Sequence, residues 1–154
     1  MSRRDQITMT EAETKAFLEA GRDLQVASLN ADGTPHLVTM WYELDGGDVC
    51  FWTYGKSQKV VNLRRDPRLT VLVATGDVYE ELKGVSIAGT AEIIEPGAPE
   101  VLAFGLRLFE KYWGPADDDL VKAGVEAQAQ KRVVLRVKPT NTVTWDHSKL
   151  AGVY

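Results

Sequence analysis

Residues 52–67 read WTYGKSQKVVNLRRDP, and they predict the end of a β-strand, a tight turn and a short helix that Pro67 ends. Ser57 stands where this helix begins, and its hydroxyl is suited to cap a backbone N–H of the first turn. The first N–H groups of a helix lack intrahelical partners and carry partial positive charge, so Lys56, Ser57 and Lys59 are suited to hold a phosphate. A solvated helix start is the alternative, because lysines beside a serine cap are common.

Upstream of this stretch the hydrophobic pattern changes from helical to alternating. A capping box at residues 10–13 predicts a helix that runs to about Gly21. Alternating runs then predict three strands, over residues 25–29, 36–44 and 49–54. Asp-Gly steps separate these runs and are strong hairpin signals, since the turn needs a positive φ. The first half of the chain is therefore predicted to form an antiparallel meander.

Downstream, three further strands are predicted over residues 69–74, 84–95 and 132–145, with helices over 98–113 and 117–130. Gly89 marks a bulge or bend in its strand. The first of these two helices offers one continuous apolar face, formed by Leu102, Leu106, Phe109 and Trp113. Six antiparallel strands with flanking helices predict a mainly β (α+β) fold, a partly open six-stranded β-barrel in a single domain of residues 1–154.

Composition excludes several classes of function. The net charge of −4 argues against non-specific nucleic-acid binding, which needs a basic face. One cysteine and two histidines leave no metal-ligand pattern, so no metal site is expected. No run reaches the length of a membrane span and no apolar signal core follows Met1, so the cytoplasm is the expected location.

Known catalytic templates are also missing from the sequence. No Gly-x-Ser-x-Gly elbow occurs, and Cys50 falls in the middle of a predicted strand, where a buried and inert thiol is expected. Trp41, Trp52 and Tyr54 lie on the two strands that lead to the turn, and any one of them alone is explained by a core or an interface. Together with the lysines they outline a flat apolar wall beside an anion site. A planar cofactor with a phosphorylated side chain would fit there.

Four segments carry a resemblance to a known family: PHLVTMWY at 35–42, KVVNLRRDPR at 59–68, GTAE at 89–92 and TWDHSKL at 144–150. The second is fairly specific, and the others are individually weak. The chain, from the Asp-Gly hairpin at 32–33 to its end at residue 154, resembles the FMN-binding split β-barrel superfamily of pyridoxamine 5'-phosphate oxidase. Within it, the chain resembles the branch of reductases that use the deazaflavin coenzyme F-420.

This resemblance implies a homodimer with each cofactor site at the subunit interface, where the tail around Trp145 and His147 would complete the partner's pocket. It also implies the cofactor contacts. The residues around the ring would be Val38, Thr39, Met40, Trp41, Trp52 and Thr53, and those around the phosphate Lys56, Ser57, Gln58 and Lys59. The number of large aromatic side chains near this site also favours burial against a second copy.

One departure from the family pattern bears on the cofactor. The oxidases place an arginine-lysine pair on the flavin phosphate, and here the pair reads Gln58-Lys59. The tail also lacks the arginine-bearing segments that hold pyridoxal phosphate, which disfavours vitamin B6 oxidation. The leading hypothesis is hydride transfer from reduced F-420 to an electron-poor conjugated C=C, carbonyl or nitro group, with Tyr54 and His147 as candidate proton donors. The alternatives are an FMN enzyme of the same fold, or a non-catalytic flavin- or haem-binding protein with His36 or His147 as axial ligand.

Overall fold

A computed structural model describes residues 2–152, so Met1, Val153 and Tyr154 of the predicted domain lie outside the described residues. The helices are α1 (Arg3–Ile7), α2 (Glu11–Ala20), α3 (Gln58–Arg65), α4 (Pro99–Trp113) and α5 (Asp119–Ala129). The strands are β1 (Leu24–Leu29), β2 (Pro35–Met40), β3 (Glu43–Asp45), β4 (Asp48–Tyr54), β5 (Arg68–Thr75), β6 (Lys83–Ile94) and β7 (Arg132–Asp146). Short 3-10 helices occupy Tyr79–Glu81 and His147–Leu150.

All seven described strands form one antiparallel sheet in the order β2-β1-β5-β6-β7-β4-β3, so the prediction of six strands is wrong by one. The difference arises at Trp41 and Tyr42, which divide the predicted strand 36–44 into β2 and β3. β2 pairs with β1 at one edge of the sheet, and β3 pairs with β4 at the other. Because only two residues connect these edges, the sheet must curl into a half-barrel.

Tyr42 explains the break, because it is fully buried and bonds to helices rather than to a strand. Its backbone N–H donates to the Tyr112 hydroxyl at 3.1 Å, and its own hydroxyl donates to the Leu18 carbonyl at 2.5 Å. A backbone N–H that is committed to a side chain is lost to the strand ladder. The strand therefore breaks at Tyr42 because this residue packs and forms hydrogen bonds between the sheet and its helices.

The bulge predicted at Gly89 is confirmed. The β6–β7 register shifts between Ala88, which faces Asn141, and Gly89, which faces Pro139. The shift leaves Thr140 as an extra residue on β7. A Cβ on Gly89 would lie 2.1 Å from the Lys138 carbonyl oxygen, so only glycine admits this approach.

Two apolar clusters lie on opposite faces of the sheet. The barrel interior is filled by Leu24, Val26, Phe51, Val71, Val73, Val85, Val133 and Leu135, among others. The outer cluster lies under α4 and α5 and contains Cys50, Val101, Phe104, Leu108, Ala129 and Val134. Burial raises the pKa of the Cys50 thiol to about 12, consistent with the inert thiol that was expected.

The predicted apolar face of α4 is offset from the one that is buried. Val101, Phe104, Gly105 and Leu108 are the buried residues of this helix, whereas Trp113 is 62% exposed. The helical period was correct, but the sheet requires a small residue at the contact, and Gly105 supplies it. None of the helices within residues 2–152 is long and apolar enough to cross a membrane.

Candidate functional site

The turn between β4 and α3 ends at Ser57, which occupies the N-cap position with an extended backbone (φ −68°, ψ 154°). The predicted capping bond is absent, because the Ser57 hydroxyl makes no cap hydrogen bond to the helix. It accepts instead from the Thr53 hydroxyl at 3.4 Å, and the Lys59 Nζ donates to the same Thr53 oxygen at 3.1 Å. The start of α3 thus has no side-chain cap, and hydrogen bonds join the Lys59 ammonium and two hydroxyls beside it.

Lys59 is only 9% exposed, which is unusual for a lysine. Within residues 2–152 no carboxylate lies in salt-bridge range of its ammonium group, and Thr53 is its only side-chain partner. Burial, and then the positive charge of Arg132, lower the pKa of Lys59. The fold therefore holds an uncompensated cation at the start of α3, at a cost that an anionic ligand would remove.

Arg132 is a second cation at this place, and the sequence analysis did not identify it. It lies opposite Tyr54 in the pairing of β4 with β7. Its guanidinium carbon is 4.3 Å from the centre of the Tyr54 ring and 4.9 Å from that of Trp52. The Arg132 Nε is buried and has no hydrogen-bond partner among the described residues. The Arg132 group is thus held against two aromatic rings, and no described residue accepts a hydrogen bond from its Nε.

A cavity of about 590 Å³ opens beside Arg132, between the sheet and the α4–α5 pair. Its sheet side consists of Thr39, Met40, Trp41, Trp52 and Arg132. Its helix side consists of Gly105, Leu108, Phe109, Trp113, Val121, Gly124, Val125 and Gln128. This size and this mainly apolar, aromatic lining are typical of small-molecule sites.

The Trp41 indole is held in place as one wall of the cavity. It stacks on Tyr112 with ring centres 4.4 Å apart and planes 13° apart, and it meets Trp113 edge-on at 4.7 Å. Tyr112 is itself anchored, because its hydroxyl accepts the Tyr42 N–H and donates to the Arg22 carbonyl. The wall is therefore preformed by the corner that separates β2 from β3.

Both glycines that lie inside helices line this same cavity. A Cβ on Gly105 would be 2.5 Å from the Trp52 ring, so the glycine lets the indole lie against α4. A Cβ on Gly124 would meet nothing within 4 Å, so this residue borders open space. Glycine inside a helix costs roughly 1 kcal/mol relative to alanine. At Gly105 and Gly124 the absence of a side chain keeps the cavity open, at the expense of some helix stability.

The predicted site residues divide into two neighbouring groups. Those that line the cavity are Thr39, Met40, Trp41 and Trp52, and those joined by hydrogen bonds at the start of α3 are Thr53, Ser57 and Lys59. Val38 packs against the barrel core, and Lys56 is exposed. Gln58 is also exposed, and its amide donates to the Asn62 Oδ1 at 2.9 Å, along its own helix. Arg132 lies between the two groups.

Neither histidine lines the cavity. His147 Nδ1 contacts the Tyr79 carbonyl oxygen at 2.9 Å, and the His36 Nδ1 is buried without a hydrogen-bond partner among the described residues. Trp145 does not line the cavity either, because its indole ring packs directly against Gly84. Among residues 2–152, no group of three or more His, Cys, Asp or Glu side chains is arranged to hold a metal ion.

Comparison with known proteins gives one family and several similar structures. The family model described as pyridoxamine 5'-phosphate oxidase matches residues 10–146. A conserved hypothetical protein of Mycobacterium tuberculosis is 40% identical, with a TM-score of 0.91 over 100% of this chain and 95% of that chain. A structure named F-420 reductase is 28% identical, with a TM-score of 0.65 over 83% of this chain and 94% of that one.

A heme storage protein of Vibrio cholerae is 16% identical, with a TM-score of 0.70 over 90% of this chain and 97% of that one. At this identity the likeness is one of fold alone. No curated protein matches the sequence.

Proposed function

The chain belongs to the pyridoxamine 5'-phosphate oxidase family, and from that premise we propose that it is an oxidoreductase that uses the deazaflavin coenzyme F-420. The reaction is transfer of a hydride to an electron-poor conjugated C=C, carbonyl or nitro group. One observation carries the assignment of a planar cofactor with a phosphate group: two cations without carboxylate partners among residues 2–152, Lys59 and Arg132, lie beside an aromatic cavity. The similarity to an F-420 reductase supports the choice of a deazaflavin.

The residues at the start of α3 fit the phosphate of such a cofactor. A phosphate there would accept from the Lys59 ammonium, from the Arg132 guanidinium and from first-turn N–H groups. It would pair with the Arg132 guanidinium, which has no carboxylate partner among the described residues. Burying a polar or charged donor without a partner is costly, so a bound anion relieves the cost at both residues.

The cavity fits the ring system. Thr39 and Met40 lie on β2, an edge strand, so part of their backbone N–H and C=O groups is free to meet the polar edge of a ring. Trp41 and Trp52 are flat apolar surfaces that stack on a ring and exclude water. When bound, the coenzyme supplies the hydride, and the protein supplies binding and orientation. We assign no general acid, since Tyr54 packs on Arg132 and His147 does not line the cavity.

An FMN oxidoreductase of the same fold is the second candidate, and Arg132 is the observation that favours it. FMN ends in a phosphate dianion, which rewards two cations more than the internal phosphodiester of F-420 does. The pair Gln58-Lys59 taken alone favours the singly charged diester. The absorbance spectrum of the purified protein separates the candidates: we expect a deazaflavin band, whereas two flavin bands support FMN and a Soret band supports haem.

We further propose a cytoplasmic homodimer whose cofactor sites lie at the subunit interface. The outward face of the β2-β1-β5-β6 part of the sheet carries Leu37, 66% exposed, in register with Ala27, Thr70 and Ala88. Small and apolar side chains on a flat face favour an isologous contact with a second copy. Trp113, at the cavity, is also largely exposed in one chain. A mass of one chain by light scattering at micromolar concentration would refute the shared site.

A further inference from the structure

We propose that Arg132 is the arginine that binds the cofactor phosphate. The oxidases have an arginine at the position of Gln58, and here Arg132 takes its place beside Lys59 to complete the pair of cations. The inference rests on the proposed function, because it concerns the same cofactor site. It assigns a specificity role to the first residue of β7, where neither the sequence motif nor the family resemblance placed a phosphate ligand.

The geometry favours Arg132 over Gln58 as the arginine-like partner of the phosphate. The Gln58 amide is exposed and already donates to Asn62, one turn further along α3. Arg132, in contrast, pairs with Tyr54 directly before the turn. The Gly55 N–H donates to the Lys131 carbonyl at 3.0 Å, which ties the turn to the start of β7. The backbone at Arg132 is therefore tied to the turn that leads into α3.

The surroundings of Arg132 leave its charge for a ligand. Guanidinium donors lie in the plane of the group, and the group stacks on aromatic rings through its faces. The contacts to Trp52 and Tyr54 are ring contacts, so they leave the in-plane N–H groups unused. Within residues 2–152 no carboxylate forms a salt bridge with Arg132, whereas Arg136 on the same strand contacts three acidic residues. An anion that reaches this end of the cavity meets a flat cation with free donors.

The test separates the phosphate from the ring by using paired ligands. One pair is FMN and riboflavin, and the other is F-420 and its ribityl deazaflavin, which lacks the phosphodiester and the lactyl-oligoglutamate tail beyond it. Dissociation constants are measured by fluorescence titration for the wild type and for Arg132→Gln. We expect the affinity advantage of each phosphorylated ligand over its phosphate-free partner to fall about ten- to a hundredfold in the variant. Lys131→Gln, an exposed neighbour, is the matched control and should keep the full advantage.

If Arg132→Gln weakens the binding of both members of a pair equally, Arg132 acts on the ring. If the affinity advantage of the phosphorylated ligand is unchanged, Arg132 does not contact the phosphate. Either result overturns the inference. If Arg132→Gln fails to fold, competition in the wild type replaces it. Inorganic pyrophosphate should then displace FMN without displacing riboflavin, and Arg132→Lys should retain part of the advantage. A wild type that binds none of the four ligands overturns the proposed function and the inference together, whereas loss of the inference alone leaves cofactor binding intact.

Discussion

Replacement of Lys59 by methionine should stabilise the cofactor-free protein while weakening cofactor binding. Lys59 is 9% exposed as a residue, its ammonium has the Thr53 hydroxyl as its side-chain partner within residues 2–152, and it lies near the charge of Arg132. Replacing a buried ion pair by apolar side chains of similar volume is often neutral or stabilises a protein by about 1–4 kcal/mol, and Lys59 lacks the compensation that a paired charge has. Because Thr53 already satisfies one donor, we expect about 1 kcal/mol, or a rise of about 3 °C in the melting temperature of a chain this long.

The same change should act in the opposite direction on the ligand. A charge-assisted contact to phosphate contributes roughly 1.5–3 kcal/mol, so Lys59→Met should weaken cofactor binding about ten- to a hundredfold. Lys56→Met is the control for stability, because Lys56 is exposed on the same turn and should change the unfolding free energy by less than about 0.5 kcal/mol. A lower unfolding free energy in cofactor-free Lys59→Met than in the wild type would refute the view that burial of the Lys59 ammonium destabilises the protein.

The pH dependence of stability gives an independent check. Burial lowers the pKa of Lys59 from its ordinary value of 10.5. Between the two pKa values the unfolded chain binds the extra proton, so the stability of the wild type rises with pH in that interval. Lys59→Met lacks this rise. Its advantage in melting temperature should be largest near neutral pH and should shrink as the pH approaches the ordinary lysine value, and an advantage independent of pH would contradict the assignment.

Three further substitutions test the cavity, the interface and the bulge. Gly124→Leu should fill open space and weaken binding of ring ligands at least tenfold by fluorescence titration, while Gly124→Ala should bind normally and melt at the same or a higher temperature. Leu37→Glu should convert the proposed dimer to a monomer in light scattering, with its circular dichroism spectrum unchanged. Gly89→Ala should lower the unfolding free energy by about 1–3 kcal/mol in denaturant titrations, because its Cβ would meet the Lys138 carbonyl, and an unchanged midpoint would contradict the close approach.

Much of the fold was predictable because it depends on neighbours in the sequence. The capping box at Thr10 and Glu13 is present, with hydrogen bonds of 3.2 and 2.7 Å. The hairpin turns and the bulge at Gly89 also follow from local signals. The break at Tyr42 did not, because the partners of that residue are 24 and 70 positions away. The alternating pattern of residues 36–44 continues through Tyr42, so nothing in the local sequence indicates that the strand breaks there.

The candidate site was predictable in part for the same reason. Lys59 and Ser57 lie on one local turn that the helix-start pattern identifies, and the tryptophans lie on the strands beside it. Arg132 is distant in sequence, and its place beside Tyr54 follows from the pairing of β4 with β7, which no local pattern specifies. The burial of Lys59 was also not predictable, since a lysine near a serine cap is read as solvated until the surrounding strands are placed.

Titration of the wild-type protein with F-420 and with FMN, at low and at high ionic strength, tests the central claim most directly. The account predicts quenching of tryptophan fluorescence as the ring fills the cavity lined by Trp41, Trp52 and Trp113. It also predicts tighter binding of F-420 than of FMN at low ionic strength, with the preference narrowing as salt screens the charges. Equal or tighter FMN binding at both ionic strengths would replace F-420 by FMN, and binding of neither ligand would contradict the account.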